Sequence, residues 1–430
     1  MLLKTEREGN KFWSLKAGCA EFESLMKFKL DKSGIEFLIC PIIFYFCIMI
    51  QRIAKKSLIK LAKTFRSIAV VGPRQSGKTT LCRTTFPAKP YVSLENPDIL
   101  EYATSDPRGF LAQFPDGAIL DEIQRAPHLF SYLQQILDET KKRGLFILTG
   151  SNNFLLQENI TQTLAGRIAY LQLLPFSLHE LRPGKKLKAD CKWHILKGAY
   201  PEVLTKKLSH EDWYAGYIST YVERDVRQVK NIGNLAQFTK LLRLCAGRTG
   251  QILNLTSLSN DCGIDQKTVA SWISILQSSY IVYLLRPYYG NFNKRVIKSP
   301  KLYFYDTGVA CSLLGIKSTE QLATHNAKGA LFENLMIMEL LKARLNEGAE
   351  DNLYFWRDKT GNEIDLLADD AGRLQIYEMK SAETISSDFF VGLDYFTKLH
   401  SDVQERLLVY GGKQMQTRSN GIRVTPWNEL

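Results

Sequence analysis

The chain has no pair of cysteines in C-x-x-C spacing, no cysteine cluster, and no apolar run of membrane-spanning length. Its eight cysteines, Cys19, Cys40, Cys47, Cys82, Cys191, Cys245, Cys262 and Cys311, stand singly. That argues against a disulfide framework and a zinc site, and fits the reduced thiols of a cytoplasmic protein. The longest uncharged stretch near the N-terminus, Phe37 to Ile50, is fourteen residues and contains Pro41. A spanning helix needs about 20 apolar residues, so no stable membrane span is expected. A secretory leader is not expected either, because acids and bases are mixed ahead of this stretch and no small-x-small cleavage site follows.

What is present is a balanced globular composition, 45% hydrophobic and 23% charged, which excludes a wholly disordered chain or a fibre. Its 430 residues are enough for about two to four domains. Lys and Arg outnumber Asp and Glu by 56 to 44, for a net charge of +12. That excess permits contact with nucleic acid or an anionic surface without requiring it. Met49 precedes a basic amphipathic segment, Gln51 to Phe65, and is a candidate start. On that reading residues 1–48 are dispensable; a membrane-associating segment and a helix packed on the body are the alternatives.

The first motif with chemistry follows directly. Ser67 to Val71 is an apolar strand, and Gly72, Pro73, Arg74, Gln75, Ser76, Gly77, Lys78 and Thr79 complete G-x-x-x-x-G-K-[ST], with a helix expected over Thr79 to Phe86 that brings Thr80 to the nucleotide. Such a loop wraps its N–H groups around phosphate oxygens at the positive end of a helix. Lys78 would reach the β and γ phosphates of ATP, and Thr79 would offer a hydroxyl to Mg2+. Ala118 to Glu122 is an apolar strand ending in two acids. Asp121 would act on the magnesium, and Glu122 would deprotonate the attacking water. A helix is expected over His128 to Arg143, then a strand, Leu145 to Thr149, with Gly150, Ser151 and Asn152 at its tip. A polar side chain there would sense the γ-phosphate, unless the tip is a plain turn. Arg167 is either a finger for a neighbouring subunit's nucleotide in a homo-oligomer or a structural salt-bridge residue.

GPRQSGKTTL, ILDEIQ, LTGSN and LAGR, in this order, resemble a bacterial and archaeal branch of AAA-type ATPases with a C-terminal domain of unknown function. The likeness continues through Gly198 to Glu202, Tyr221 to Asp225, GQILN, KSPKLYFYDTG and the last hundred residues, while residues 1–48 match nothing in it. The branch commonly has Gly-Ser-Ser at the sensor turn, so Asn152 departs from it and leaves open whether Ser151 or Asn152 faces the nucleotide.

Two further domains are expected. Helices over Leu235 to Ala246, Leu255 to Cys262 and Gln266 to Ser278, then strands at Tyr280 to Leu285 and Lys301 to Tyr305, read as a winged helix-turn-helix. Gln266, Lys267, Thr268 and Ser271 would face DNA from its third helix. Arg286, Lys294, Arg295 and Lys298, interleaved with Tyr288, Tyr289 and Phe292, would form the wing. A protein-docking module or an ATPase lid is the other reading of the same fold. Farther on, Glu333 on a helix, Asp365 on a strand, and Glu378 and Lys380 two apart on the next strand resemble the PD-(D/E)xK nuclease fold. That resemblance implies Mg2+ on Asp365 and Glu378, a water oriented by Lys380, and Glu333 completing the metal shell; the alternative is a fold kept only for binding.

The expected architecture is therefore an α/β P-loop NTPase of AAA type, followed by a winged helix-turn-helix and an α/β restriction-endonuclease-like domain. Its divisions are an extension at 1–50, an ATPase core at 51–175, a helical lid or linker at 176–234, the winged helix at 235–320 and the nuclease-like domain at 321–430. The expected function is Mg2+-dependent ATP hydrolysis coupled to DNA binding or processing. A nucleotide-gated switch acting on a protein partner and an ATP-gated nuclease are the alternatives.

Overall fold

The computed structural model describes residues 2–7, 10–15, 50–151, 164, 166–183, 186–206, 208–222, 234–289, 298–400 and 402–430. Residues 1–51 and 52–430 are separate units. In the first, β1 (Leu2–Arg7) and β2 (Asn10–Leu15) pair antiparallel, with Leu2 opposite Leu15. Residues 37–49 of the uncharged stretch lie outside the described residues.

The second unit opens with α1 (Ala54–Thr64), which buries Ala54 and Leu58 and turns Lys55, Lys56, Lys60 and Lys63 to solvent. Behind it lies a parallel sheet of β3 (Ser67–Val71), β4 (Tyr91–Ser93), β5 (Ile119–Asp121), β6 (Phe146–Gly150) and β7 (Ile168–Gln172). The strand order is β4-β5-β6-β3-β7. Helices cover both faces, so β3 and β6 are buried at every position and read as continuous apolar runs. Strand alternation divides them. Ile68 and Val70 pack with Leu58 of α1 and Leu81, and Ala69 and Val71 face the side holding Leu129, Leu133 and Leu137. Leu81 belongs to α2 (Lys78–Thr85), and the other three to α3 (Leu129–Glu139).

α3 stops four residues before the expected Arg143. Thr140 is extended, and its hydroxyl accepts the Lys142 N–H at 3.1 Å, a local turn that competes with the helix. The chain then returns to the sheet, with Gly144 N–H on Phe65 O at 2.8 Å.

Helices α4 (Leu235–Gly247), α5 (Leu255–Cys262) and α6 (Gln266–Ser278) follow. Each begins on an Asn or Asp whose side chain accepts an N–H of the first turn: Asn234 from Gln237, Asn254 from Ser257, Asp265 from Thr268. Their apolar faces meet through Phe238 and Trp272, rings 5.5 Å apart.

The two strands expected as a wing, β8 (Val282–Pro287) and β9 (Lys301–Phe304), pair antiparallel. They do not stand alone. β8 also pairs in parallel with β10 (Leu353–Arg357), so the hairpin ends an eight-stranded sheet. The other members are β11 (Glu363–Asp370), β12 (Arg373–Lys380), β13 (Val403–Tyr410), β14 (Gln416–Thr417) and β15 (Arg423–Pro426). The order is β14-β15-β13-β12-β11-β10-β8-β9. A boundary at 320/321 therefore crosses one continuous sheet. The reason is burial: Val282, Tyr283 and Leu285 are covered, and a covered strand satisfies its backbone on both edges.

Two of the longer helices of this part bear on its sheet. α7 (Lys328–Asn346) buries residues around its circumference, among them Phe332, Asn334, Met336, Ile337 and Leu341. α8 (Val391–Leu399) packs Leu393 and Phe396 on Leu374, Ile376 and Trp356. The five described cysteines are all free, and Cys82, Cys245, Cys262 and Cys311 are buried. Among the described residues no helix is long and apolar enough to cross a membrane.

Candidate functional site

The loop leaves β3 at Gly72, whose φ is +151° and whose Cβ, were there one, would lie 2.1 Å from Leu173 O. Only glycine lets the backbone pass that close. It enters α2 through Gly77, in the left-handed region with φ +93°, and Gln75 between them has φ +60°. Lys78 turns back into this loop and donates to Gly72 O at 3.0 Å and Pro73 O at 2.8 Å. Burial pulls its ammonium below the ordinary lysine range, and the charges of Glu122 and Asp121 act the other way. The Ser76 hydroxyl oxygen is buried with no protein partner among the described residues. Arg74 is half-buried, while Gln75 and Thr80 are exposed.

Asp121 ends β5 beside this loop. Its carboxylate accepts from the Thr79 hydroxyl at 3.0 and 3.2 Å, from Tyr91 at 2.7 Å and from the Thr149 hydroxyl. Burial first, and then the bond to Asp121, push the Tyr91 phenol up to about 12. Glu122 has a left-handed backbone, φ 55°, unusual for glutamate and a mark of a constrained position. It accepts from the Ser151 hydroxyl at 3.0 Å and from Gln124. The expected residues Lys78, Thr79, Asp121, Glu122 and Ser151 are thus brought together; Asn152 lies outside the described residues. A hydroxyl and a carboxylate in contact are an oxygen donor pair that suits Mg2+, with phosphate oxygens completing the set.

Arg167 lies apart from this group. It forms a two-pronged pair with Asp138 on α3, at 2.5 and 2.9 Å, within the same chain. In the exposed setting of both groups the pair lowers the Asp138 pKa.

Sequence reasoning passed over four residues that hold this site. Tyr91 and Thr149 bond Asp121 from neighbouring strands. Arg52 donates to Ser76 O at 2.7 Å, to Leu174 O at 2.6 Å and to Glu180 at 3.0 Å. Glu180 is wholly buried and also accepts from Ile53 and Ser177 N–H groups. A signal for it was present, since Ser177 to Glu180 has the S-x-x-E spacing of a capping box, and one forms there. Nothing in the sequence marks Arg52.

The α6 face carries Gln266 and Lys267 exposed, Thr268 and Ser271 half-buried, and Val269, Trp272, Ile273 and Leu276 turned inward. On the hairpin, Arg286 lies over the Tyr354 ring at 5.1 Å and donates to Asp351 O, and Tyr288 packs on Tyr354. Tyr289 and Lys298 are exposed. Phe292, Lys294 and Arg295 lie outside the described residues, as do Glu223, Arg224 and Asp225.

In the C-terminal sheet Glu333, Asp365, Glu378 and Lys380 converge. Lys380 pairs with Glu378 and stands 3.7 Å from Asp365. Asp365 also accepts the Met379 N–H at 2.8 Å. Burial pushes Glu378 up to about 8 and the charge of Asp365 adds to it, while Lys380 acts the other way. Glu333 is held not by the E-x-K strand but by β9. It accepts from Lys301 at 3.0 Å and from the Tyr303 hydroxyl. Lys301 also pairs with Glu363, which is shared with Arg357 at 3.1 Å.

Residues 64–182 match the AAA domain family. Residues 188–320 match a domain of unknown function, DUF8612, and residues 328–430 another, DUF4143. The uncharacterized protein Rv2008c of Mycobacterium tuberculosis is 31% identical over 348 residues, covering 79% of this chain and 76% of that protein. The uncharacterized protein MJ1544 of Methanocaldococcus jannaschii is 21% identical over 268 residues, 57% of each chain. Among solved structures, the Walker-type ATPase PABY2304 of Pyrococcus abyssi is 15% identical, covering 60% of this chain and 94% of that one, with a TM-score of 0.39. The RuvB Holliday junction branch migration motor of Thermotoga maritima is 18% identical, covering 54% and 88%, with a TM-score of 0.28. At such scores those two likenesses add nothing to the assignment, which stands on the domain match, the sheet and the mycobacterial relative. The chain belongs to the family it shares with Rv2008c, an AAA-type, nucleotide-binding P-loop ATPase with a C-terminal DUF4143 domain.

Proposed function

We propose that this ATPase is Mg2+-dependent and that it couples hydrolysis to DNA contact. One observation carries the reading: Lys78, Thr79, Asp121, Glu122 and Ser151 form a single cluster at the carboxyl ends of β3, β5 and β6. That end of an open parallel sheet is where nucleotides bind. The loop from Gly72 to Thr79 cradles the phosphates with its N–H groups, and Lys78 stabilises the β and γ oxygens. Mg2+ bound by Thr79 and Asp121 would neutralise charge developing on the phosphates. Glu122 takes the proton of the attacking water, and Ser151 holds Glu122 in register with the γ-phosphate. Arg167, paired with Asp138, positions α3.

The DNA part rests on α6, whose exposed Gln266 and Lys267 flank half-buried Thr268 and Ser271, and on the net charge of +12. The proposed working parts are an ATPase core over 51–175, a connecting segment over 176–234, a DNA-contacting part over 235–320 whose strands β8 and β9 join the C-terminal sheet, and the rest of that sheet over 321–430.

Phosphate release by the purified protein, with Mg2+ and with or without duplex DNA, tests both halves. DNA that stimulates release, and binding that weakens steeply with salt and differs between ATP and ADP, support the reading. Hydrolysis indifferent to DNA would favour a switch acting on a protein partner. Unchanged hydrolysis in Lys78→Ala would overturn the ATP site itself.

A further inference from the structure

Glu333 on α7 and Glu363, Asp365 and Glu378 on the C-terminal sheet lie near one another, linked by cations rather than gathered on one point. The central cation is a side chain. Lys301 is 3% exposed, and its ammonium bonds Glu333 at 3.0 Å and also pairs with Glu363. We infer that Lys301 is the resident cation of this cluster, which is a closed ion-pair network and takes up no divalent metal ion.

Three features of the geometry support this. First, Lys301 is fixed by its strand. Its backbone lies opposite Leu285 of β8 and bridges Ile252, and its ammonium lies 5.6 Å from the Phe355 ring centre. The pairing fixes its Cα, and burial of the side chain confines the ammonium among these acids. Second, the carboxylates already have donors. Tyr303, two residues along and on the same face of β9, donates to Glu333. Asp365 holds the Met379 N–H, and Lys380 serves Glu378. Third, among the described residues no three His, Cys, Asp or Glu side chains are grouped to hold a metal ion. Mg2+ requires a near-ideal octahedron of oxygens, so an ion drawing on Glu333 would have to displace the buried Lys301 ammonium, and one on Asp365 and Glu378 would have to displace Lys380.

The cation comes from the DUF8612 region and the carboxylates from α7 and the DUF4143 sheet. The neighbouring region thus closes a site that its own sequence pattern would open to metal, and the metal implied for Asp365 and Glu378 does not fit here.

The test is Mn2+ binding to the full chain without nucleotide, read by electron paramagnetic resonance, in wild type, Asp365→Asn and Lys301→Met. The expected result is that wild type and Asp365→Asn bind Mn2+ identically. Lys301→Met should gain a site at least about tenfold tighter, and Mn2+ should raise its melting midpoint by a few degrees. Wild-type binding that Asp365→Asn removes would overturn the inference. Because Lys301→Met leaves acids unpaired and is at risk of misfolding, Lys301→Met/Glu333→Gln provides a second readout. Removing both charges should recover much of the melting midpoint lost in the single variant. No recovery would also count against Lys301 as counterion to Glu333. Thr79 and Asp121 are unchanged in every variant, so any Mn2+ they take up is common to all and cancels in the comparison.

Discussion

The backbone N–H of Leu178 is held by the carboxylate of Glu339 at 2.6 Å, across 161 residues of sequence. Glu339 lies on α7, and Lys342 beside it pairs with Glu339 at 2.8 Å and reaches Phe176 O at 2.9 Å. Ser177, between these two anchored residues, caps the turn that contains Glu180, and Glu180 holds Arg52 against Ser76 O of the phosphate loop. A buried polar chain thus runs from the nucleotide loop to the helix that carries Glu333.

Arg52 is the link most exposed to test. Its guanidinium fork satisfies two carbonyls and one carboxylate at once, a geometry that a lysine cannot reproduce. Removing the charge altogether would leave Glu180 buried without its partner, at a cost of about 3–5 kcal/mol, whereas lysine keeps the charge and loses the fork to Ser76 O and Leu174 O. Arg52→Lys should therefore melt lower and bind ATP roughly tenfold more weakly, with Ser76 released. Calorimetric titration with a non-hydrolysable ATP analogue checks this. Wild-type affinity in a folded Arg52→Lys protein would remove Arg52 from the nucleotide site.

Glu122→Gln keeps the shape of the site and removes the base. Binding of ATP should be nearly unchanged, while turnover falls by about 10²–10⁴. Ser151→Ala, which removes one donor to Glu122, should cost less in turnover and leave affinity alone. Equilibrium binding together with single-turnover hydrolysis separates the two effects, and lost affinity in Glu122→Gln would make Glu122 a structural residue.

Tyr91→Phe removes one of the hydroxyls that fix Asp121 and leaves the ring under Arg83, 4.8 Å from its guanidinium carbon. A hydrogen bond to a charged group contributes about 1.5–3 kcal/mol. The half-saturating Mg2+ concentration for hydrolysis should rise severalfold, with kcat at saturating Mg2+ little changed. A fall in kcat with no shift in Mg2+ requirement would show that Tyr91 does not act through Asp121.

The phosphate loop and the strand ending in Asp121 and Glu122 were legible because their chemistry is local. Strand, turn and helix dictate each other over a dozen residues. The three capped helices after Leu235 were legible for the same reason. What joins distant segments was not. The addition of β8 to β10 is decided by which edge a buried strand can satisfy, and Arg52, Tyr91 and Lys301 matter only through partners found by folding. Lys301 is the sharpest case: an E-x-K strand with an acid on a helix reads as a metal site until a lysine from β9 appears among the carboxylates.

His194 gives a prediction about pH. It is 2% exposed, its Nε2 accepts the Lys188 N–H at 3.0 Å, and its ring packs between Trp193 and Trp427 at 4.9 and 5.5 Å. Burial is the main reason its pKa is lowered from 6.5 to about 4; the Lys342 charge adds to the lowering, and the Lys188 carbonyl, 3.2 Å from Nε2 and an acceptor for the protonated ring, and Asp190 oppose it. The folded protein therefore resists protonation that the unfolded chain accepts, so protons favour unfolding. The contribution of neutral His194 is fully present above about pH 6.5, is lost as pH falls toward 4, and changes no further below that. A shift of this size corresponds to about 3 kcal/mol over the whole window, at about 1.4 kcal/mol per pH unit. Urea unfolding at pH 7.5, 6 and 5, in wild type and His194→Gln, isolates the effect from the carboxylates, which titrate in both. Wild-type stability should fall more steeply than that of the variant below pH 6.5, by about 2 kcal/mol at pH 5. Parallel curves through this window would mean that His194 takes up its proton in the folded protein as readily as in the unfolded one.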